Sequence, residues 1–201
     1  LNSVTIGSGA AADTKIVFDG NAQDYHIGLD DSNDSLTIGK GSTLGTTTSV
    51  VIDANGIITT PLQPAFSVNA ASEQSNCTGN GASATVAFGT EHIDRNGDFA
   101  SNTFTAPVTG LYFLNTTVTV KDFSTSNTTG RLHIAASNRS FLYEFDPAEN
   151  IGGAGAGSFA VSGLVDMDAA DTATVTMQIF DNSLSIDIQA SGTNFQGYLI
   201  G

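Results

Sequence analysis

Acidic side chains are the only residues of this chain whose types and spacing suggest chemistry. They crowd two short turns: Asp166, Asp168 and Asp171 in one, Asp30, Asp31 and Asp34 in the other. Several carboxylate oxygens on a flexible loop are the ligands that Ca²⁺ prefers. Neither group has the glycine and final glutamate of an EF-hand loop, and solvated turns are the alternative interpretation. Calcium at the first turn is therefore the one cofactor that the sequence leaves open, and no other cofactor is expected.

The histidines and the single cysteine form no reactive pattern. His26, His92 and His133 lie in neither an H-x-x-x-H nor an H-E-x-x-H arrangement, so a zinc site is not expected. Cys77 cannot form an intramolecular disulfide, and in the polar stretch SNCTGNG it is interpreted as a loop residue, either a small buried hydrophobe or an unreactive thiol.

Enzymatic residues are not expected either. The sequence lacks a G-x-S-x-G nucleophile motif. Paired carboxylates that cleave a glycan are the enzymatic alternative, but most acidic residues fall in turns, where their side chains bond their own backbone. The prediction is a non-enzymatic protein with no catalytic residue.

Composition and charge restrict the class of partner. Apolar residues make up 40% of the 201 residues and charged residues only 13%, a balance that favours β-sheets and turns over helices. The net charge is −14, and the six basic residues are scattered. A nucleic acid or an anionic membrane surface would be repelled, and no apolar run has the length of a membrane span. We therefore expect a partner that is neutral, cationic or bridged by a cation.

Residues 1–62 are predicted to be a β-rich shaft or stalk segment. Short apolar runs recur every ten to twelve residues between turns rich in Gly, Asp and Asn. The predicted strands are 14–19, 25–29, 35–38 and 49–53. Each has only two or three large apolar residues, so the segment buries too little surface to fold alone and needs the next domain or copies of itself. Thr59 to Pro64 contains two prolines and is predicted to be a stiff extended connector.

Residues 63–201 are predicted to form an all-β sandwich or jelly roll. Ten apolar or alternating stretches are predicted as strands: 65–68, 84–88, 91–94, 110–120, 130–135, 141–145, 158–167, 172–180, 183–188 and 194–200. Two polar loops, 121–130 and 144–157, combine amides and hydroxyls with an occasional aromatic ring, as carbohydrate sites do. The candidate receptor-binding residues are Phe123, Ser126, Asn127, Phe145, Asp146 and Asn150.

A spaced motif in this second region resembles the globular head of the complement q-subcomponent, within the tumour-necrosis-factor-like jelly-roll superfamily. It consists of PAFSV at 64–68, IDRNGDF at 93–99, a central pattern at 104–113 and NFQGYLI at 194–200. The family's central pattern is F-x-A-P-x-x-G-x-Y-x-F; this chain matches it from Phe104 to Tyr112, and its second Phe, Phe113, comes one position earlier than in the family. The resemblance implies ten strands in two sheets and a homotrimer, with the last strand and the strand at 172–180 near its threefold axis. Pro107 and Gly110 are interpreted as a corner, with Gly110 supplying an unusual backbone angle and Tyr112 and Phe113 entering the sandwich. The residues expected in the fold or trimer core are Phe66, Phe104, Pro107, Gly110, Tyr112, Phe113, Phe195, Gly197, Tyr198 and Leu199.

No Gly-X-Y repeat precedes this head. Residues 13–39 instead resemble the β-rich shafts of bacteriophage tail fibres. The two resemblances together imply an extracellular, homotrimeric receptor-binding tip of a virion tail fibre that adheres to a host surface glycan or another receptor. Two alternatives stay open: a structural module that holds three chains of a fibre together, and a secreted complement-like lectin.

Overall fold

The computed structural model describes residues 3–150 and 155–201, apart from the side chain of Asn150. The chain divides into two compact units, Leu1–Gln63 and Pro64–Gly201, called here the N-terminal unit and the head. The described residues contain β-strands and two 3₁₀ turns, Arg95–Gly97 and Ala148–Asn150, and no α-helix. The all-β prediction is confirmed. No helix among the described residues is long and apolar enough to cross a membrane.

The N-terminal unit is one antiparallel sheet in which each strand pairs with the next along the chain. Its strands are β1 (Thr14–Phe18), β2 (Tyr25–Asp30), β3 (Ser35–Lys40), β4 (Thr48–Ile52) and β5 (Ile58–Thr59). The first four match the predicted strands, and β5 is an addition. The extended connector is wrong, because Gln63 N donates to Thr60 O at 3.1 Å and closes a turn. Pro61 follows Thr60, and proline at that position favours a turn.

The described residues of the head form thirteen strands rather than the predicted ten. They are β6 (Ala65–Asn69), β7 (Gln74–Thr78), β8 (Ser83–Thr85), β9 (Thr90–Asp94), β10 (Phe99–Ala100), β11 (Thr103–Thr105), β12 (Gly110–Lys121), β13 (Gly130–Ala136), β14 (Ser140–Phe145), β15 (Gly157–Met167), β16 (Thr172–Ile179), β17 (Ile186–Ile188) and β18 (Asn194–Leu199). The polar strand β7 and the two short strands β10 and β11 account for the difference. Cys77 therefore lies in a strand and not in a loop, with its Sγ 3.4 Å from Ile186 O.

Two antiparallel sheets make up the head. The small sheet has the order β10-β11-β16-β13-β14, with β8 also paired to β16. The large sheet has the order β7-β17-β12-β18-β6-β9, with β15 on the other edge of β12. From β12 onward the chain changes sheet repeatedly: β13 and β14 are in the small sheet, β15 in the large, β16 in the small, and β17 and β18 in the large. These crossings between two packed sheets are those of a jelly roll.

An aromatic core joins the two sheets. Phe66 stacks on Phe104 with ring centroids 4.5 Å apart and meets Phe195 edge-on at 4.9 Å. All three rings are buried, as is Tyr112, whose ring lies 5.5 Å from that of Phe104. Large aromatic rings bury more apolar surface than any other side chain, which explains how a chain with few charges and many small polar residues still builds a dense core.

The corner before β12 differs in two respects from its predicted role. Tyr112 enters the core and donates its hydroxyl to Val108 O at 2.8 Å, and burial raises its pKa. Phe113 lies on the opposite face of the sheet, because successive strand residues alternate between faces. Gly110 has no positive φ. It is needed for space, since a Cβ there would lie 2.6 Å from Leu199 Cδ1.

Candidate functional site

The outer face of the large sheet presents a row of apolar side chains to solvent. Tyr198 of β18 lies opposite Phe113 of β12, and Phe113 lies opposite Leu164 of β15. The rings of Phe113 and Tyr198 have centroids 5.7 Å apart. Tyr198 is 50% exposed and Leu164 is 45% exposed. We call Tyr198, Phe113 and Leu164 the outer row.

The outer row is continuous with further exposed apolar residues. Ile200 N donates to Leu111 O at 2.7 Å, which places these two residues beside the row. Ile93 of β9 is paired with Ser67 of β6. A shallow depression of about 430 Å³ is lined by Ile93, Phe113 and Tyr198 together with Arg95. The outer patch is defined as Ile93, Leu111, Phe113, Leu164, Tyr198 and Ile200.

The outer patch differs from the singly scattered hydrophobic residues of an ordinary surface because its members are neighbours. Contiguous apolar surface of more than a few hundred Å² marks an interaction site. The outer row itself carries no charge. Arg95 lines the depression, and Asp166 lies opposite Leu111 at the margin of the patch.

The outer face of the small sheet has a different character. Arg131 Nε donates to Glu144 Oε2 at 2.7 Å, and its guanidinium lies 5.1 Å from the centre of the Phe180 ring. A depression of about 250 Å³ beside Arg131 is lined by His133, Gln178 and other mostly polar side chains. Leu142 is exposed there at 55%, and the Phe180 ring is half-buried beneath Arg131. Ladders of polar residues suit contact with water, so the large sheet is the apolar one of the two outer faces.

The residues predicted for the fold or trimer core separate into three groups. Buried inside the sandwich are Phe66, Phe104, Tyr112, Phe195 and Gly197, and Leu199 is partly buried against the same core. Phe113 and Tyr198 lie on the outer face. Pro107, which is exposed, and Gly110, which is half-buried, lie at the corner where β12 begins and form the third group.

Three of the predicted receptor-binding residues are buried, which corrects their expected placement on the surface. Phe145 stacks on Phe159 at 3.6 Å, and Phe123 meets Phe159 at 6.0 Å. Asn127 is fully buried; its Oδ1 accepts from Ser124 N at 2.9 Å and its Nδ2 donates to Phe180 O at 2.9 Å. These side chains hold the loops to the sandwich and cannot contact a receptor.

Two of the remaining candidates, Ser126 and Asp146, lie at the surface near the same end of the sandwich. Ser126 is exposed, and Asp146 is exposed with its Oδ1 accepting from Ala148 N at 2.8 Å. The side chain of Asn150 lies outside the described part of the chain. Phe123 N donates to Gly155 O at 3.0 Å, so the two predicted loops do meet.

Tyr143 is a surface residue that sequence reasoning missed. Its ring stacks on Phe145 with centroids 5.8 Å apart, yet the side chain is 44% exposed because β14 is an edge strand. The i, i+2 spacing of Tyr143 and Phe145 was the available signal, since residues two apart share one face of a strand. Tyr143 offers this end an exposed ring of the kind that packs on a sugar.

The acidic turn of the calcium prediction is held together by its own hydrogen bonds. Asp171 Oδ2 accepts from Asn138 Nδ2 and from Asp168 N, both at 2.8 Å. Asp166 is in β15 and points outward. In the other turn, hydrogen bonds from Ser32 and Asn33 hold the pKa of Asp30 below its usual value. Within the described residues, no group of three His, Cys, Asp or Glu side chains is arranged to hold a metal ion, and calcium stays a prediction.

The comparisons with known proteins concern the head. The globular domain of zebrafish complement 1qA protein is similar at 18% identity and a TM-score of 0.46, covering 69% of this chain and 98% of that one. Murine APRIL is similar at 12% identity and a TM-score of 0.48, covering 69% of this chain and 99% of that one. No protein-family model matches the chain, and no curated protein matches it. The assignment of a jelly roll therefore rests on the strand order of this chain and not on these similarities.

Proposed function

We propose that this chain is a non-enzymatic adhesive protein that works as a homotrimer, with the outer patches of three heads packed around a common axis. The observation that carries the proposal is the uncharged outer row, in which Tyr198 and Leu164 are exposed and Phe113 is half-buried between them, on a chain whose net charge is −14. Two copies that are both strongly acidic repel each other. They associate most easily through a face that is apolar and carries no charge, because like charges are then not brought together.

The biological setting that fits best is the tip of a bacteriophage tail fibre, outside the cell, adhering to a host surface receptor. The motif of residues 64–201 and the shaft-like residues 13–39 support this setting. The receptor class is a glycan, contacted by the exposed residues at the loop end of the sandwich, Ser126, Tyr143 and Asp146. Three weak sites on one assembly gain avidity when they bind together.

A second function is favoured by one observation. Phe123, Asn127 and Phe145 are buried, which leaves the loop end with few side chains free for a receptor. A head with this property can serve as an assembly module that only holds three chains of a fibre together.

Light scattering and a glycan array separate these functions. The trimer has an expected mass of three times 20.6 kDa, about 62 kDa; a mass of one chain at micromolar concentration contradicts the proposal. On an array of bacterial surface glycans, selective binding supports the adhesive function. A trimer that binds no glycan selectively supports the assembly module.

A further inference from the structure

The sheet of the N-terminal unit has its aliphatic residues on the face that is left open. Residues directly opposite one another in neighbouring strands share a face. Ile16, Ile27, Ile38 and Val50 are paired in this way and form one unbroken row across β1, β2, β3 and β4.

A second row runs parallel to the first. It consists of Leu29, Leu36, Ile52 and Ile58 on β2, β3, β4 and β5. Phe18 and Tyr25 are paired beyond the other end of the first row. The open face is defined as these two rows together with Phe18 and Tyr25. Six of its ten side chains are exposed large hydrophobics: Ile16, Phe18, Tyr25, Leu29, Ile38 and Ile58.

The other face of the same sheet is small or polar, and it is the buried one. His26, Asp30 and Thr37 are buried there. The segment that follows β3 covers this face: His26 Nδ1 lies 2.9 Å from Gly41 O, and Leu44 is buried. The unit thus covers its polar face, whereas its aliphatic face is contacted only in part: Ile6 lines a shallow depression there with Ile16 and Leu29, and Ile6 itself is 49% exposed.

A single sheet with a bare aliphatic face is not a stable arrangement in water, because a domain needs a second packed layer. The open face joins ten apolar side chains, six of them exposed, into one contiguous surface, and contiguous apolar surface marks an interaction site. Its cover must therefore be present whenever the unit is folded.

We infer that the cover is the same face of other copies of this chain. Three features of the molecule favour a copy over a foreign partner. Lys40, next to Tyr25 at the corner of the sheet, is the only charged residue paired into these rows, so the face complements itself, whereas the chain as a whole is strongly acidic. Aliphatic side chains of two sheet faces interdigitate when the sheets pack face to face, and two copies of the open face offer such side chains to each other. Other copies of this chain are also present wherever the chain is synthesised.

The number of copies rests on the proposed function. Once three heads associate, the N-terminal units of the same three chains are confined at high effective concentration. Three open faces then enclose a common apolar core, and the N-terminal unit becomes a three-sided shaft in which each chain contributes one wall.

A matched pair of single-cysteine variants of the full chain, made with Cys77→Ser, tests this inference. Ile38→Cys is in the middle of the open face and Val17→Cys is on the opposite face; the native side chains are 42% and 37% exposed. A bismaleimide cross-linker is added and the products are resolved by denaturing electrophoresis. We expect Ile38→Cys to give covalent chain-to-chain products that disappear on dilution before cross-linking, and Val17→Cys to stay monomeric. Leu29→Cys, on the open face of β2, replaces Ile38→Cys if that variant does not fold.

Two outcomes for the cysteine at position 38 overturn the inference. A cysteine at position 38 that reacts freely with a monofunctional maleimide at all protein concentrations shows that the face stays uncovered. One that resists labelling but never cross-links between chains shows that another part of the same chain covers it. The label is in the N-terminal unit, so this test is independent of the head. Cross-linking at position 38 in a protein whose outer patch still reacts with maleimide would uphold this inference. It would at the same time contradict the proposed trimer interface of the head.

Discussion

Phe113 and Tyr198 face each other from neighbouring strands on the outside of the large sheet, with ring centroids 5.7 Å apart, and neither ring belongs to the core. An aromatic pair held in this way loses little side-chain entropy when a partner covers it, because the two rings already restrict each other. Leu164 completes the outer row beside Phe113. The row is therefore a preformed apolar surface rather than a set of isolated exposed residues.

Association through the outer row predicts protection of Leu164 from chemical labelling. In a Cys77→Ser chain at micromolar concentration, we expect Leu164→Cys to react with maleimide about tenfold more slowly than Leu142→Cys, because chains cover the large sheet and leave the small sheet open. The two leucines are exposed to similar extents in the single chain. The protection should vanish on dilution. Equal rates for the two variants at every concentration would contradict the interface.

Alternation predicts strands well but does not say which face is inside when both are apolar. The stretch Leu111-Tyr112-Phe113-Leu114 has large residues on both faces, so the sequence alone could not separate the buried Tyr112 and Leu114 from the exposed Leu111. Only the second sheet, which packs on one side, decides between them. The same ambiguity explains why Phe113 was expected inside the sandwich.

Strand β7 could not be predicted because its own residues do not favour a strand. Gln74-Ser75-Asn76-Cys77 is polar, and Asn76 has a positive φ of 52°. The strand exists because β17 pairs with it and because Asp187 Oδ1 accepts from Asn76 N at 2.6 Å. Residue 187 is 111 positions away, and short-range patterns contain no trace of that contact.

The aromatic residues of the two loops were predicted to be exposed, but they are buried. Phe123 and Phe145 lie in stretches rich in Ser, Asn, Gly and Asp, which suggested exposed rings available to a ligand. Both rings instead surround Phe159 of β15. A large apolar ring is more stable out of water whenever the fold offers it a neighbour, and the sequence does not show that β15 offers one.

Tyr143 and Phe145 should separate binding from folding. Tyr143→Ala removes a half-exposed ring, and we expect a loss of affinity for glycan of about tenfold, the effect of one lost stacking contact. The melting temperature should fall much less than in Phe145→Ala, although the Tyr143 ring also stacks on Phe145. Phe145→Ala removes a buried ring and should destabilise the head by about 3–5 kcal/mol. Surface plasmon resonance on an array-selected glycan gives the first result and calorimetry the second. Full affinity in Tyr143→Ala would place the receptor site elsewhere.

Gly197 is predicted to be irreplaceable at the centre of β18. A Cβ there would lie 2.6 Å from Leu114 Cδ2, 2.8 Å from Phe113 O and 2.8 Å from Phe66 Cε1. One of these atoms belongs to the backbone of the paired strand, so the structure cannot relax by a rotamer change alone. We expect Gly197→Ala to lower the free energy of unfolding by about 1–3 kcal/mol, the usual range for overpacking. Gly201→Ala, at a position with open space, is the control. Equal denaturation midpoints for the two variants would contradict the packing.

Asp187 predicts how the stability of the head depends on pH. The bond from Asn76 N and the neighbouring Lys121, whose Nζ lies 3.4 Å from Asp187 Oδ2, hold the pKa of Asp187 below its ordinary value near 3.8. Because the folded pKa is the lower one, this carboxylate stabilises the fold above pH 4, and the contribution is lost as the pH falls through the folded pKa.

Asp187→Asn should therefore lower the free energy of unfolding by about 1 kcal/mol at pH 7, measured at fixed protein concentration. The difference from the native chain should shrink toward zero below pH 4. Glu149→Gln, which removes one exposed charge, should show no such convergence. If the difference in free energy of unfolding between Asp187→Asn and the native chain stays constant from pH 7 to pH 3, the charge on Asp187 does not stabilise the junction of β7 and β17. The loss of stability would then come from the different hydrogen-bonding groups of the amide.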